Sequence, residues 1–269
     1  MKLLVDGREA YAYTGGKPFD PALPCIVFLH GALNDHSVWT LLARWCANHG
    51  HAVLAVDLPG HMRSAGPALA SVEAMADWTL ALLDAAGVRQ AALAGHSMGS
   101  LIALEAAGRA PERVTRLVML GSCYPMAVPK ALLDLSLSAP LKAIDRVVMF
   151  SHSTLAAKPS YPGPGAWLRG GATQLMRHVL RRDEHLFHND FAACDRYADG
   201  LQAAARVQCP VHLILGSDDQ MTPTRAARDI AAALNAEVRY VQAGHNLMQE
   251  APEGVLATLR SALAGPVAR

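Results

Sequence analysis

The sequence predicts an α/β fold: a mostly parallel, eight-stranded sheet with helices on both faces. Two patterns carry this. Apolar runs without polar alternation, which mark strands buried on both faces, recur along the chain, and most are followed by a stretch with helical spacing. Repeated strand–helix units of this kind build a parallel sheet covered on both sides. A third observation locates the centre. The pentapeptide Gly95-His96-Ser97-Met98-Gly99 stands between an apolar run, residues 90–94, and a helical stretch, residues 100–109. Gly-x-Ser-x-Gly between strand and helix is the nucleophile elbow, a turn too tight for a Cβ at either glycine.

Taken in order, Lys2–Val5 and residues 9–14 are short strands joined through Asp6-Gly7, a pair that tolerates the positive φ of a hairpin turn. A Gly/Pro-rich link leads to Cys25–Leu29, the first strand buried on both faces, which ends in His30-Gly31-Ala32-Leu33. Residues 38–49 have helical spacing, and Gly50 stops them. Ala52–Val56 is the next buried strand, and it runs into the polar loop from Asp57 to Ser64. Residues 71–86 form a long helix, with Ser71 as N-cap, Glu73 in the first turn and Gly87 beyond its end. The elbow follows, then a strand over residues 116–120 that closes at Gly121-Ser122.

There the alternation breaks. Residues 124–206 carry no strand signal but three amphipathic stretches, 130–150, 166–180 and 185–205, with a loop at 159–165. The strand pattern returns at 211–215, with a helix at 222–234, a last strand at Glu237–Val241 and a last helix at 252–263. The expected organisation is a core of residues 1–123 and 207–269 interrupted by a helical insertion, 124–206. An insertion at the carboxyl ends of strands lies where open α/β sheets bind ligands.

Composition narrows the function. The chain has 269 residues, 52% of them hydrophobic, which suffices for one large domain with an insertion. A net charge of +1, with both signs mixed, supplies no basic excess to neutralise phosphates, so nucleic acid is not expected as a partner. Five scattered cysteines without a CxxC pair suggest neither a disulfide framework nor a zinc site. The first residues lack an apolar signal core, and no apolar run reaches a membrane span, so a cytoplasmic protein without a membrane partner is expected. The expected partner is a small-molecule substrate, and self-association into a homo-oligomer is left open.

A serine hydroxyl attacks only when a base takes its proton, a carboxylate orients the base, and N–H donors meet the oxyanion. The strand ends hold such groups. Asp218 and Asp219 follow residues 211–215, and Ala243-Gly244-His245 follows the last strand, so the chain order is Ser, Asp, His. His245 is the candidate base, and the two carboxylates are both candidates for its partner. The turn at His30-Gly31-Ala32 can present the Ala32 amide, and the helix after Ser97 the Met98 amide, as oxyanion donors. His36 and Trp39, just after that turn, are candidate pocket residues, each with an equal reading as a helix-start or core residue. In the insertion, His152, His178, His185 and His188, with Asp183, Glu184 and Asp190, read as polar helix surface rather than as a metal site. Phe150, Trp167, Met176, Phe187 and Phe191 read as packing for the insertion, a few of them lining an apolar pocket.

These motifs resemble the α/β-hydrolases over nearly the whole chain outside the insertion. The carrying residues are Phe28-Leu29-His30-Gly31, Asp57-Leu58-Pro59-Gly60-His61, Gly95-His96-Ser97-Met98-Gly99, Gly216-x-x-Asp219-x-x-Thr222-Pro223 and Gly244-His245. The resemblance implies the α/β-hydrolase fold, a helical cap over residues 124–206, and Asp219 rather than Asp218 as the acid, three residues after Gly216. The alternative place for the acid reads Gly121-Ser122-Cys123, with no carboxylate. One departure is Met62, where the family loop has glycine. Serine at the elbow excludes the branches whose nucleophile is aspartate. The resemblance points to the esterase and enol-lactonase branches: a serine hydrolase of small or medium carboxylic esters, lactones or thioesters, with triad Ser97, Asp219 and His245 and no metal or organic cofactor. Two other readings stand beside it. One is a carbon–carbon bond hydrolase of ring-fission diketones, or a perhydrolase, on the same triad; the other is a ligand receptor on the same scaffold.

Overall fold

Side-chain alternation in the buried strands divides the interior into two layers. The computed structural model describes residues 1–153 and 168–264. Its strands are β1 (Lys2–Val5), β2 (Arg8–Tyr13), β3 (Cys25–Leu29), β4 (Ala52–Val56), β5 (Ala91–His96), β6 (Val114–Leu120), β7 (Val211–Gly216) and β8 (Glu237–Val241). They form one sheet in the order β1-β2-β4-β3-β5-β6-β7-β8. β1 pairs β2, and β2 pairs β4, antiparallel; every other pairing is parallel. Val27 and Leu29 of β3, Leu54 of β4 and Leu93 of β5 face one layer. Ile26 and Phe28, Val53 and Ala92 face the other. Both faces are therefore apolar, which is why these strands read as unbroken runs.

The helices are α1 (Thr40–Asn48), α2 (Val72–Ala85), α3 (Met98–Arg109), α4 (Lys130–Ser138), α5 (Pro140–Ser151), α6 (Leu168–Leu180), α7 (Leu186–Arg196), α8 (Gly200–Arg206), α9 (Arg228–Ala233), α10 (Leu247–Glu250) and α11 (Pro252–Ala264). α2, α3, α8 and α9 bury Leu82, Ile102, Ala203 and Ile230 in the first layer. α1 and α11 bury Leu42, Cys46, Val255 and Leu259 in the second. The helices α4 to α7, between β6 and β7, build a third apolar cluster from Leu132, Ile144, Met176 and Phe187, joined by Leu33 from the turn after β3.

Three stretches differ from the sequence expectation. Residues 130–150 break at Ala139 because Pro140 opens α5; it has no N–H to continue α4, and Ala139 before it lies outside the helical region (φ −153°, ψ 68°). Residues 185–205 break where Tyr197 turns extended, and α8 restarts at Gly200. α3 begins at Met98, directly after Ser97, so the elbow has no linker residue. Among the described residues no helix is long and apolar enough to cross a membrane.

Candidate active site

The parallel register brings the ends of β3, β5, β6, β7 and β8 together, so the turns that follow them converge. Ser97 is held at φ +52°, ψ −120°, a conformation L residues rarely adopt. Its neighbours enforce it. A Cβ on Gly95 would lie 2.0 Å from Gly99 O, and one on Gly99 would lie 2.2 Å from Leu29 O. Ser97 N donates to Leu120 O at 2.9 Å.

The loops after β7 and β8 supply an acid and an imidazole. His245 Nδ1 donates to Asp219 Oδ2 at 2.8 Å. Thr222 Oγ1 donates to the same oxygen at 2.7 Å, and the Met221 and Thr222 amides donate to Oδ1, each at 2.8 Å. Burial alone would push the Asp219 carboxyl up. The charge of the imidazole it faces, with these hydrogen bonds, outweighs burial and holds it below the usual carboxylate range. Asp218 is exposed and accepts from Gln242 Nε2. Gly121, at φ +53°, leaves room for His245, since a Cβ there would lie 3.2 Å from His245 Nδ1. From the elbow, His96 Nε2 donates to His245 O at 2.8 Å. Burial, and then His245, push His96 down to about 3, so it is a neutral prop. Among the described residues no hydrogen bond joins Ser97 Oγ to His245 Nε2. Both residues line one cavity, and catalytic hydrogen bonds commonly close only around substrate.

Gly31 brings the turn after β3 against the serine: a Cβ there would lie 3.2 Å from Ser97 Cβ. Ala32 lines the cavity with Ser97 and His245. Among the described residues the amides of Ala32 and Met98 have no acceptor. The arrangement can therefore activate a hydroxyl and meet a developing oxyanion.

The cavity has about 470 Å³ and is walled mainly by apolar side chains, Met126, Leu132, Val147, Phe150 and Phe191 among them. A second space of about 50 Å³ adjoins Ser97 and His245 and is lined by Met176, Asn34, His152 and Asn246. His36 and Trp39 line neither, which corrects the pocket reading of both and leaves His36 as a helix-start residue and Trp39 as a core residue. Trp39 is fully buried against Phe28, behind the sheet. His36 is pulled away by Asp57, whose Oδ1 takes its Nδ1–H at 2.7 Å and its backbone N–H at 2.9 Å. Among the described residues Asp35, His36 and Asp57 are the one group with metal-ligand spacing. Asp35 and Asp57 already accept backbone amides there, of Ser37, His36 and Arg63. Trp167 lies outside the described residues.

Two further corrections concern polar residues. His152, expected on a helix surface, is buried at the end of α5, where Nδ1 donates to Val148 O at 2.9 Å. Asp190, expected on a helix surface, is fully buried on α7, where Oδ2 accepts Leu33 N–H at 2.8 Å and faces His61 Nε2 at 3.0 Å. Nothing in the sequence flags this, because 157 positions separate Asp190 from Leu33. Glu250 was also silent; it accepts the amides of Gly244 (3.2 Å) and Ser153 (3.1 Å) and ties the His245 loop to the end of α5. Met62, where the resemblance expects glycine, sits at a positive φ of +33° and lays its side chain on the third cluster.

Comparison with known proteins follows the same lines. A sequence model of the alpha/beta hydrolase fold family matches residues 24–252. The pimeloyl-[acyl-carrier protein] methyl ester esterase of Chromobacterium violaceum is 31% identical over 231 residues, covering 82% of this chain and 87% of the relative. The enol-lactonase of Burkholderia xenovorans LB400 superposes with a TM-score of 0.81 at 20% identity, covering 98% of this chain and all of that one (100%). The esterase EaEST of Exiguobacterium antarcticum superposes at 0.83 with 19% identity, covering 98% and 99%.

Proposed function

This chain belongs to the alpha/beta hydrolase fold family, and from that premise we propose that it is a serine hydrolase that cleaves small or medium carboxylic esters, lactones or thioesters through an acyl-enzyme. The observation that carries the reading is His245, which lines the same cavity as the strained Ser97 and is bonded at 2.8 Å to the buried Asp219 behind it. In this reading Ser97 Oγ attacks the acyl carbonyl and His245 Nε2 takes its proton. The Ala32 and Met98 amides receive the oxyanion. His245 returns the proton to the leaving oxygen or sulfur, water attacks the acyl-enzyme by the reverse proton path, and Ser97 is regenerated. Asp219 holds the tautomer that leaves Nε2 free to accept.

The helices of residues 124–206 act as a cap in this account. They supply Leu132, Val147, Phe150 and Phe191 to the cavity, and an apolar space of about 470 Å³ suits an acyl group of moderate length. The relatives named as esterase and enol-lactonase support the ester and lactone classes. The test is turnover on a panel of esters, lactones, thioesters and vinylogous diketones, wild type beside Ser97→Ala. Expected is ester or lactone hydrolysis that falls by about 10³ or more in Ser97→Ala. Hydrolysis of the panel that survives Ser97→Ala, or turnover confined to diketones, contradicts the proposal.

A further inference from the structure

The turn that follows β3 is held from two sides. On the core side, His30 Nδ1 and Asn34 N donate to Gly31 O (2.9 and 3.2 Å), and Asn34 Nδ2 donates to Ala32 O at 3.1 Å. From the helical insertion one carboxylate reaches in: Asp190 Oδ2 accepts the Leu33 N–H. Leu33 sits at φ +51°, in the left-handed region, and is not glycine, so its backbone is strained. Its side chain is fully buried, not in either sheet layer but among Leu132, Ile144 and Phe187 of the insertion. The residue next to Ala32 is thus fixed at its N–H and at its side chain by residues 124–206.

We propose that Asp190 is a positioning residue, which sets the Gly31-Ala32-Leu33 turn from the helical insertion and aims the Ala32 amide into the cavity beside Ser97. Its catalytic consequence rests on the serine-hydrolase reading; the tether itself does not. The chemistry of the tether fits a charged pair. His61 Nε2 lies 3.0 Å from Asp190 Oδ2, and its Nδ1 lies 3.2 Å from Pro59 O, so both ring nitrogens face acceptors, as in a cation. Burial pushes His61 down, but the Asp190 carboxylate outweighs it and holds the imidazole above the usual histidine range. His30, 4.8 Å away ring to ring, does not compete. Burial, and then His61, push it down to about 4, and its Nε2 accepts the Leu58 amide. Asp57, the other nearby carboxylate, is spent on His36 and Arg63 N.

Among the described residues Asp190 Oδ1, meanwhile, is buried without a partner. A buried carboxylate with one orphan oxygen is costly to the fold, and an apolar residue would serve packing alone better. The cost is consistent with a residue kept for what Oδ2 holds.

The experiment compares wild type, Asp190→Leu and Asp190→Asn by kcat and KM on the best ester or lactone, and by amide hydrogen exchange at Leu33. Leucine keeps the branched, four-heavy-atom outline of aspartate, with bulkier methyls, and removes both oxygens. Expected for Asp190→Leu is Leu33 exchange faster by about tenfold or more, with kcat lower by about 10- to 100-fold and KM nearly unchanged. Asp190→Asn keeps a carbonyl oxygen for Leu33 and recovers most of kcat. Unaltered Leu33 exchange and kcat in Asp190→Leu overturn the proposal, as does a rise in KM with kcat intact. Wild type that turns over no substrate while Asp190→Leu still frees Leu33 overturns the hydrolase reading and supports the tether. Should Asp190→Leu not fold, Asp190→Ala decides by the same two readings: faster Leu33 exchange with a lower kcat supports the tether, and Leu33 exchange and kcat both unaltered overturn it.

Discussion

Asp219 is buried, and a buried carboxylate persists in charged form only when its oxygens are occupied. Here four donors meet it: two backbone amides, the Thr222 hydroxyl and His245 Nδ1. Asp219→Asn replaces an acceptor by a donor at His245 and favours the wrong tautomer. The expected outcome is a fall in kcat of about 10⁴ with KM little changed, read by steady-state kinetics. The same residue leaves a mark on stability. Its folded pKa is lowered, so its contribution is full above its unfolded value and is lost as pH falls through the folded one. Asp57 is also held low, with burial opposing and His36 prevailing, and loses its contribution in the same acid window. Urea midpoints measured downward from about pH 5 should therefore fall less steeply in Asp219→Asn than in wild type. Equal slopes would show that Asp219 is not held as described. His61 has the opposite sign: its raised pKa gives stability that is full below its unfolded value and is lost as pH rises through the folded one. At this scale the sequence displayed Ser97 and His245, because each ends a strand in a recognisable turn; position alone left Asp218 and Asp219 equal, and only the family resemblance chose between them. It hid Asp190 and Glu250, because their bonds to Leu33 and Ser153 span 157 and 97 positions.

Among the elements, the elbow tolerates the least change. Gly99→Ala would place a Cβ 2.2 Å from Leu29 O, a backbone atom in a central strand that cannot swing aside. The expected loss is about 3 kcal/mol or more, read from the urea midpoint, and a variant as stable as wild type would contradict the packing. The insertion is tuned by side-chain size instead. Leu132 lines the cavity and belongs to the third cluster, so Leu132→Trp should shift the optimum toward shorter acyl chains while acetate-sized esters keep their rate. An unshifted chain-length profile would place the acyl group elsewhere. Strands and helices of the core were legible because both faces of the sheet are covered, leaving unbroken apolar runs. The insertion was legible as helical but not in its breaks, since Tyr197 and Gly200 interrupt it for packing reasons that periodicity does not carry. His36 and Trp39 were misplaced for a related reason. Proximity in sequence to the oxyanion turn says nothing about which face of the sheet a following helix covers, and Trp39 lies behind it.

For the whole molecule, the sheet order and the parallel register bring five strand ends to one edge, and residues of the insertion between β6 and β7 wall the cavity there. On the proposed reading, activity depends on two bodies of residues acting together: the turns after the strands supply Ser97, Asp219 and His245, and the insertion supplies most of the cavity wall. The central claim is that this assembly activates Ser97. Intact-protein mass after exposure to a fluorophosphonate tests it most directly, because the probe reports an activated serine whatever the natural substrate. One adduct on wild type, absent from Ser97→Ala, is the predicted result. A folded wild type that stays unmodified, or an adduct that persists in Ser97→Ala, would contradict it.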